Sequence, residues 1–131
     1  MTAAHRKLMN RARRARAKAY APFSKFKVGA ALETATGRIY TGCNIENASY
    51  GLTLCAERVA IFQAVAAGER RFRRLAVVAD TTQLTPPCGA CRQIIWEFCG
   101  DVEIILGNLK NKSAVHRMRA LFPRPFDSSF L

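Results

Sequence analysis

The chain has 131 residues, half of them hydrophobic, and a formal net charge of +12. That length suits a single domain over residues 1–131, and the apolar share excludes a disordered chain. No apolar run reaches the roughly 18 residues of a membrane span, and the basic start leads into more basic residues instead of the apolar core of a secretion signal, so a cytoplasmic protein without a membrane partner is expected.

From His5 to Ala19 the chain is Ala, Leu, Met, Arg and Lys without Gly or Pro, a helix composition, with Leu8, Ala12, Ala15 and Ala19 on one narrow face. Nine cations stand between Arg6 and Lys27, and the first acid is Glu33. Such a field attracts polyanions, but charge alone reads first as a solvated helix face. Pro22 stops this helix. Phe26–Leu32 is predicted as a strand, turned at Thr36-Gly37 into a second strand over Arg38–Ile45. Gly51 precedes a helix from Cys55 to Ala67, whose apolar side is expected from Val59, Ile61, Phe62 and Val65. Gly68 ends it.

A further basic cluster, Arg70, Arg71, Arg73 and Arg74, leads into Leu75–Ala79, a continuous apolar run of the kind buried on both faces of a sheet. The loop Asp80–Pro87 delivers Cys88, and a helix over Gly89–Cys99 carries Ile94, Ile95 and Phe98. Val102–Leu106 is the next buried strand. Gly107–Asn111 is too short for a parallel crossover, so a last strand over Ser113–Met118 must run antiparallel to it. A turn follows at Arg119–Phe122. The predicted architecture is a three-layer α/β/α sandwich around a five-stranded mixed sheet.

Five cysteines, an odd number, point to metal ligands or free thiols and not to a disulfide framework. Cys88 and Cys91 share one predicted helix start and Cys55 begins another, where the positive end of the helix favours thiolate. Three soft ligands suit zinc, and Glu57, two residues after Cys55, suits proton transfer to or from a water at the metal. Arg58 and Arg92 are placed to offset the negative charge of three thiolates by donating to ligand sulfurs. Two other readings stay open on spacing alone: a closed four-cysteine site completed by Cys43 or Cys99, and a redox Cys-x-x-Cys. His5 and His116 lie outside these segments and have no expected role at a site.

Gly42-Cys-Asn-Ile-Glu-Asn-Ala-Ser-Tyr-Gly-Leu-Thr-Leu-Cys-Ala-Glu-Arg58, with Pro87-Cys-Gly-Ala-Cys-Arg-Gln93 and Tyr20-Ala-Pro-Phe-Ser-Lys-Phe-Lys-Val-Gly-Ala-Ala-Leu32, resembles the cytidine deaminases of pyrimidine salvage, in particular their small, all-cysteine, homotetrameric branch. The likeness covers roughly Tyr20 to Phe126. It implies one Zn2+ per subunit on Cys55, Cys88 and Cys91, Glu57 as the proton-transferring acid, and a nucleoside substrate. It further implies that Asn44 and Glu46 hold the ribose, Phe26 packs on the base, Ala56 offers its backbone N–H, and Tyr50 and Phe126 reach toward a neighbouring subunit's site. The chain departs from the pattern at Arg124-Pro125, in its short tail after Phe126, and in its arginine-rich N-terminal helix. The competing readings are a deaminase of a related cytosine nucleoside, a deaminase of nucleic-acid cytosine, and a basic zinc-stabilised nucleic-acid-binding module. Asn44 and Glu46 favour a free nucleoside.

Overall fold

The computed structural model describes residues 1–131. Its elements in chain order are α1 (Ala3–Arg16), β1 (Val28–Thr34), β2 (Ile39–Cys43), α2 (Ala56–Ala66), β3 (Phe72–Ala79), α3 (Gly89–Cys99), β4 (Glu103–Gly107), β5 (Ser113–Arg117) and α4 (Met118–Leu121), with short 3-10 turns at Tyr50–Leu52 and Ser128–Phe130. The five strands form one sheet in the order β2-β1-β3-β4-β5. β1 pairs antiparallel with both β2 and β3, β3 pairs parallel with β4, and β4 pairs antiparallel with β5. The single parallel pairing is the one whose connection carries a helix, α3. The short turn after Gly107 returns β5 antiparallel, as its length requires. No helix is long and apolar enough to cross a membrane.

Strand alternation builds the two faces. Ala30, Leu32, Leu75, Val77, Ile104 and Leu106 point to the side of α2 and α3, while Ala31, Ala76, Val78 and Ile105 point to α1. The middles of the central strands are therefore apolar at consecutive positions, as a sheet covered on both sides requires, and their charged residues stand at one end. Two glycines set the helices down. A Cβ on Gly29 would lie 2.0 Å from the Ala12 carbonyl oxygen, and one on Gly42 would lie 2.5 Å from the Ala56 carbonyl oxygen and from the Ala60 nitrogen. Backbone thus meets backbone between α1 and β1 and between α2 and β2. The second contact fixes the first turn of α2, where Cys55 and Glu57 are.

Several expected boundaries move. α1 begins at Ala3 because Thr2 and His5 form a reciprocal cap: the Thr2 hydroxyl accepts from the His5 N–H, and His5 Nδ1 accepts from the Thr2 N–H. Its end moves from Ala19 to Arg16. β1 begins at Val28, not Phe26, and β2 ends at Cys43, not Ile45, because the Asn44 side chain takes over the pairing there. β3 starts earlier, at Phe72, where Arg73 and Arg74 pair with Glu33. The buried side of α2 is Ala56, Glu57, Ala60, Ile61 and Ala64. Of the four residues expected there only Ile61 is fully buried, and Phe62 is exposed, edge-on to Phe98 of α3 at 6.1 Å.

Candidate metal centre and pocket

Cys55 is the N-cap of α2 and Cys88 the N-cap of α3, both with extended backbone and neither using its side chain to cap. Their sulfurs are left free to face one another. Cys91 follows one turn into α3 and is fully buried. The three sulfurs lie within 4.8 Å of one another, and Cys43 and Cys99 stand outside the group. That removes the closed four-cysteine reading. Cys99 instead sits against the main core, where burial pushes its thiol up to about 12.

The electrostatics of the cluster call for a cation. The Cys55 thiol is pushed down to about 5, first by a hydrogen bond from Cys91 and then by the Arg58 guanidinium, whose Nη2 lies 3.4 Å from the sulfur. Cys91 is driven upward, because its proton is held by Cys55 and it is desolvated beside Glu57. Three sulfurs at this range cannot all ionise by themselves. A dication relieves the conflict and takes all three as thiolates, so the donor set fits zinc.

Glu57 follows Cys55 by two residues and is 5 % exposed. Burial, the largest influence, pushes its carboxyl up to about 7, with the Cys55 charge acting in the same direction. It opens into a cavity of about 170 Å³ whose wall includes Phe26, Asn44, Ala56, Cys55 and Cys88. Asn44 is occupied by backbone on both sides: its Oδ1 accepts from the Val28 N–H at 2.9 Å and its Nδ2 donates to the Phe26 carbonyl at 2.7 Å. Its observed part is to hold the Phe26 segment against the cavity.

Glu46 lies in a second cleft of about 300 Å³, with Phe23, Ser24, Tyr50 and Thr53. Ser24, Glu46 and Thr53 stand two residues from Phe26, Asn44 and Cys55, so the same three segments line both clefts in succession. The Glu46 carboxylate accepts from the Phe23 N–H at 2.9 Å, from the Ser24 N–H at 3.1 Å and from the Ser24 hydroxyl. These bonds, the hydroxyl's first, hold it below the usual carboxylate range. Tyr50 is exposed and meets Phe23 edge-on at 6.1 Å. Phe126 lines neither cleft; it stacks on Phe130 at 5.8 Å, and its carbonyl accepts from Gln93 Nε2.

Arg58 donates to a sulfur of the group, that of Cys55. Arg92 does not: its Nε donates to the Pro87 carbonyl at 2.8 Å and its Nη1 to the Leu121 carbonyl. Both carbonyls claim the guanidinium before it reaches a sulfur, so Arg92 ties the loop before Cys88 to α4. Sequence reasoning also passes over Ser24, Thr85 and Pro86. Only Ser24 carries a readable signal, a small hydroxyl two residues before an aromatic, and that signal is weak.

The family model described as the cytidine and deoxycytidylate deaminase zinc-binding region matches residues 2–107. Cytidine deaminase of Sporosarcina psychrophila is 51% identical over 126 residues, covering 95% of this chain and 93% of that protein. That of Halalkalibacterium halodurans is 49% identical over 120 residues, 91% of each. The crystal structure of cytidine deaminase from Burkholderia pseudomallei superposes with a TM-score of 0.90 at 49% identity, over 96% of this chain and all of that one.

Proposed function

The chain belongs to the cytidine and deoxycytidylate deaminase family, and from that membership and the site's geometry we propose that it hydrolyses cytidine and deoxycytidine to uridine, or deoxyuridine, and ammonia. The carrying observation is the buried Glu57 carboxyl opening into the same small cavity as the three-cysteine group. Cys55, Cys88 and Cys91 would hold the zinc, which when bound would supply the acidity that makes water nucleophilic near neutral pH. Glu57 takes the proton that the water gives up on attacking C4 and passes it to ring nitrogen N3. It then moves the remaining hydroxyl proton to the amino group, which leaves as ammonia. The desolvated carboxyl suits both directions of transfer, because neither its charged nor its neutral form is strongly favoured near pH 7.

Phe26 and the Asn44-held segment confine the base, and Ala56, which lines the same cavity, offers its N–H to it. A volume near 170 Å³ suits one base, and the ribose extends toward the Glu46 cleft. The fixed Glu46 carboxylate accepts from a ribose hydroxyl there. Arg58 offsets the negative charge of the thiolates. The antiparallel β5 supports the free-nucleoside reading over a polynucleotide deaminase. The chain acts as one domain and as a cytoplasmic homotetramer, in which the exposed Tyr50 and Phe126 complete neighbouring sites. Sedimentation of a monomer that is fully active would refute the last point.

The test follows ultraviolet absorbance of cytidine, deoxycytidine, cytosine base and a cytosine-containing single strand. Both nucleosides turn over and the strand does not. Glu57→Gln lowers turnover about 10²–10⁴-fold with zinc content unchanged. Activity that survives this substitution refutes the role given to Glu57.

A further inference from the structure

The cations of the N-terminal helix fall on two flanks with different duties. On one, Arg6 donates to the Met1 carbonyl at 2.9 Å, Arg13 to Asn10 Oδ1 at 2.8 Å and to the Asn108 carbonyl at 3.4 Å, and Arg16 to the Lys27 carbonyl at 3.1 Å. On the other, Lys7, Arg11, Arg14 and Lys18 recur at steps of four, three and four residues, the spacing of one helical face. None of these four is in an ion pair or a side-chain hydrogen bond, and the acids that might have neutralised them, Glu33 and Glu103, are taken by Arg73, Arg74 and His5.

This free flank borders a groove. Arg11, Arg14 and Lys18 line about 290 Å³ against Thr41 of the edge strand β2. A second compartment of about 320 Å³ shares Ala15, Lys18 and Thr41 with the first, and its far walls are Ile45, Val59 and Gln63. Tyr20, whose backbone bridges to Ile45, lies beside this end of the groove and is 58% exposed. The groove is therefore cationic along one side and partly apolar at its end, with the exposed Tyr20 next to that end through its bridge to Ile45. The helix that carries most of its cations is seated closely on the sheet, because α1 lies on Gly29 without a side chain between them.

We propose that the groove between α1 and β2 is a binding site for single-stranded nucleic acid. Lys7, Arg11, Arg14 and Lys18 contact successive backbone phosphates, and a base seats against Ile45, Val59 and Tyr20. At 1.5 Å per residue Lys7, Arg11 and Arg14 follow one another every ~4.5–6 Å over about 10 Å of α1, and Lys18 continues the row in the turn after Arg16. That length exceeds what a single phosphate needs and suits a strand. A cationic groove with an exposed aromatic beside it is the arrangement that binds single strands with little sequence preference. An anionic membrane is disfavoured because this flank has no large apolar residue to insert: Leu8 is fully buried under the helix. The site is separate from the Glu57 cavity and shares no residue with it.

The test is fluorescence anisotropy of a labelled 20-nucleotide oligouridylate with the whole protein between 50 and 300 mM NaCl. Four phosphate contacts give a slope of log K against log salt of about −3. Replacing Lys7, Arg11, Arg14 and Lys18 together by Ala flattens the slope and weakens binding at least about tenfold at low salt. Replacing Arg38, Lys110, Lys112 and Arg124 by Ala removes the same charge elsewhere and changes binding less than about twofold. Arg11→Lys with Arg14→Lys retains the slope, and cytidine turnover is unchanged in all three. If the ladder variant does not fold by circular dichroism, Arg14→Ala and Lys18→Ala are each read singly and each lower the slope by about 0.7. Equal weakening by both quadruple variants reduces the effect to bulk charge and overturns the proposal. So does the absence of salt-dependent binding, and so does a ladder variant that loses phosphatidylserine vesicles while keeping the oligonucleotide.

Discussion

At the scale of single residues, Ser24 shows how the site is held as well as what it holds. Its hydroxyl and its N–H both donate to Glu46, and its hydroxyl also accepts from the Phe26 N–H at 3.0 Å. One side chain therefore orients the carboxylate of the outer cleft and the aromatic of the inner one. Ser24→Ala leaves Glu46 with backbone donors only. Loss of one such bond, on the order of 1 kcal/mol, raises the KM for cytidine about three- to tenfold with little change in kcat. Steady-state kinetics at saturating and limiting substrate check this, and a fall in kcat alone would contradict it. The convergence of Cys55, Cys88 and Cys91 with a buried Glu57 is legible in the sequence, because helix starts and short spacings determine where those side chains go. The partners of Ser24 and Arg92 are not. Each is settled by a carbonyl or carboxylate brought near from more than 20 residues away.

At the scale of elements, α1 is anchored at its start by a polar chain that crosses the three central strands. His5 Nε2 lies 3.2 Å from Glu103, Arg74 donates to Glu103 and to Glu33, and Arg73 donates to Glu33. Glu103 is held below the usual carboxylate range, first by His5 and then by Arg74. A carboxyl whose pKa is lower folded than unfolded contributes stability above its unfolded value and loses it as pH falls through the folded one. The Glu103 side chain is partly exposed, so its contribution is on the order of 1 kcal/mol or less. Urea unfolding of wild type and Glu103→Gln should differ at pH 7 and converge as pH falls through the lowered folded value of Glu103. A constant gap across that range would assign the difference to packing. The same anchor explains why α1 is legible as a helix while its first residue is not. The apolar stripe of Leu8, Ala12 and Ala15 carries a strong period, but the cap depends on His5 acting as the reciprocal partner of Thr2, a role usually filled by Glu or Gln. α2 is harder to read, since alanines make its buried face and its large apolar residues mislead.

For the molecule as a whole, the cysteine group joins the starts of α2 and α3, two helices packed on one face of the sheet. A cation there binds the folded arrangement and not the unfolded chain, so its removal lowers stability by mass action. Treatment with a strong zinc chelator should lower the melting temperature by several degrees, with recovery on adding zinc; an unchanged melt would detach the cluster from the fold's stability. The mixed sheet and its antiparallel last strand are legible from connection lengths alone. The strand order is not, because nothing in the sequence states that β1 lies between β2 and β3.

The two seating glycines divide this chain's tolerance of sequence drift into sharply different places. A comprehensive substitution scan should recover only glycine at Gly29 and Gly42, where any Cβ would strike the backbone of a helix. The same scan should accept alanine at Gly51 and Gly89, around which a Cβ meets nothing within 4 Å and the backbone needs no left-handed turn. The exposed positions of α1 are far freer to change than these two, where a pair of hydrogen atoms keeps the helices where they lie.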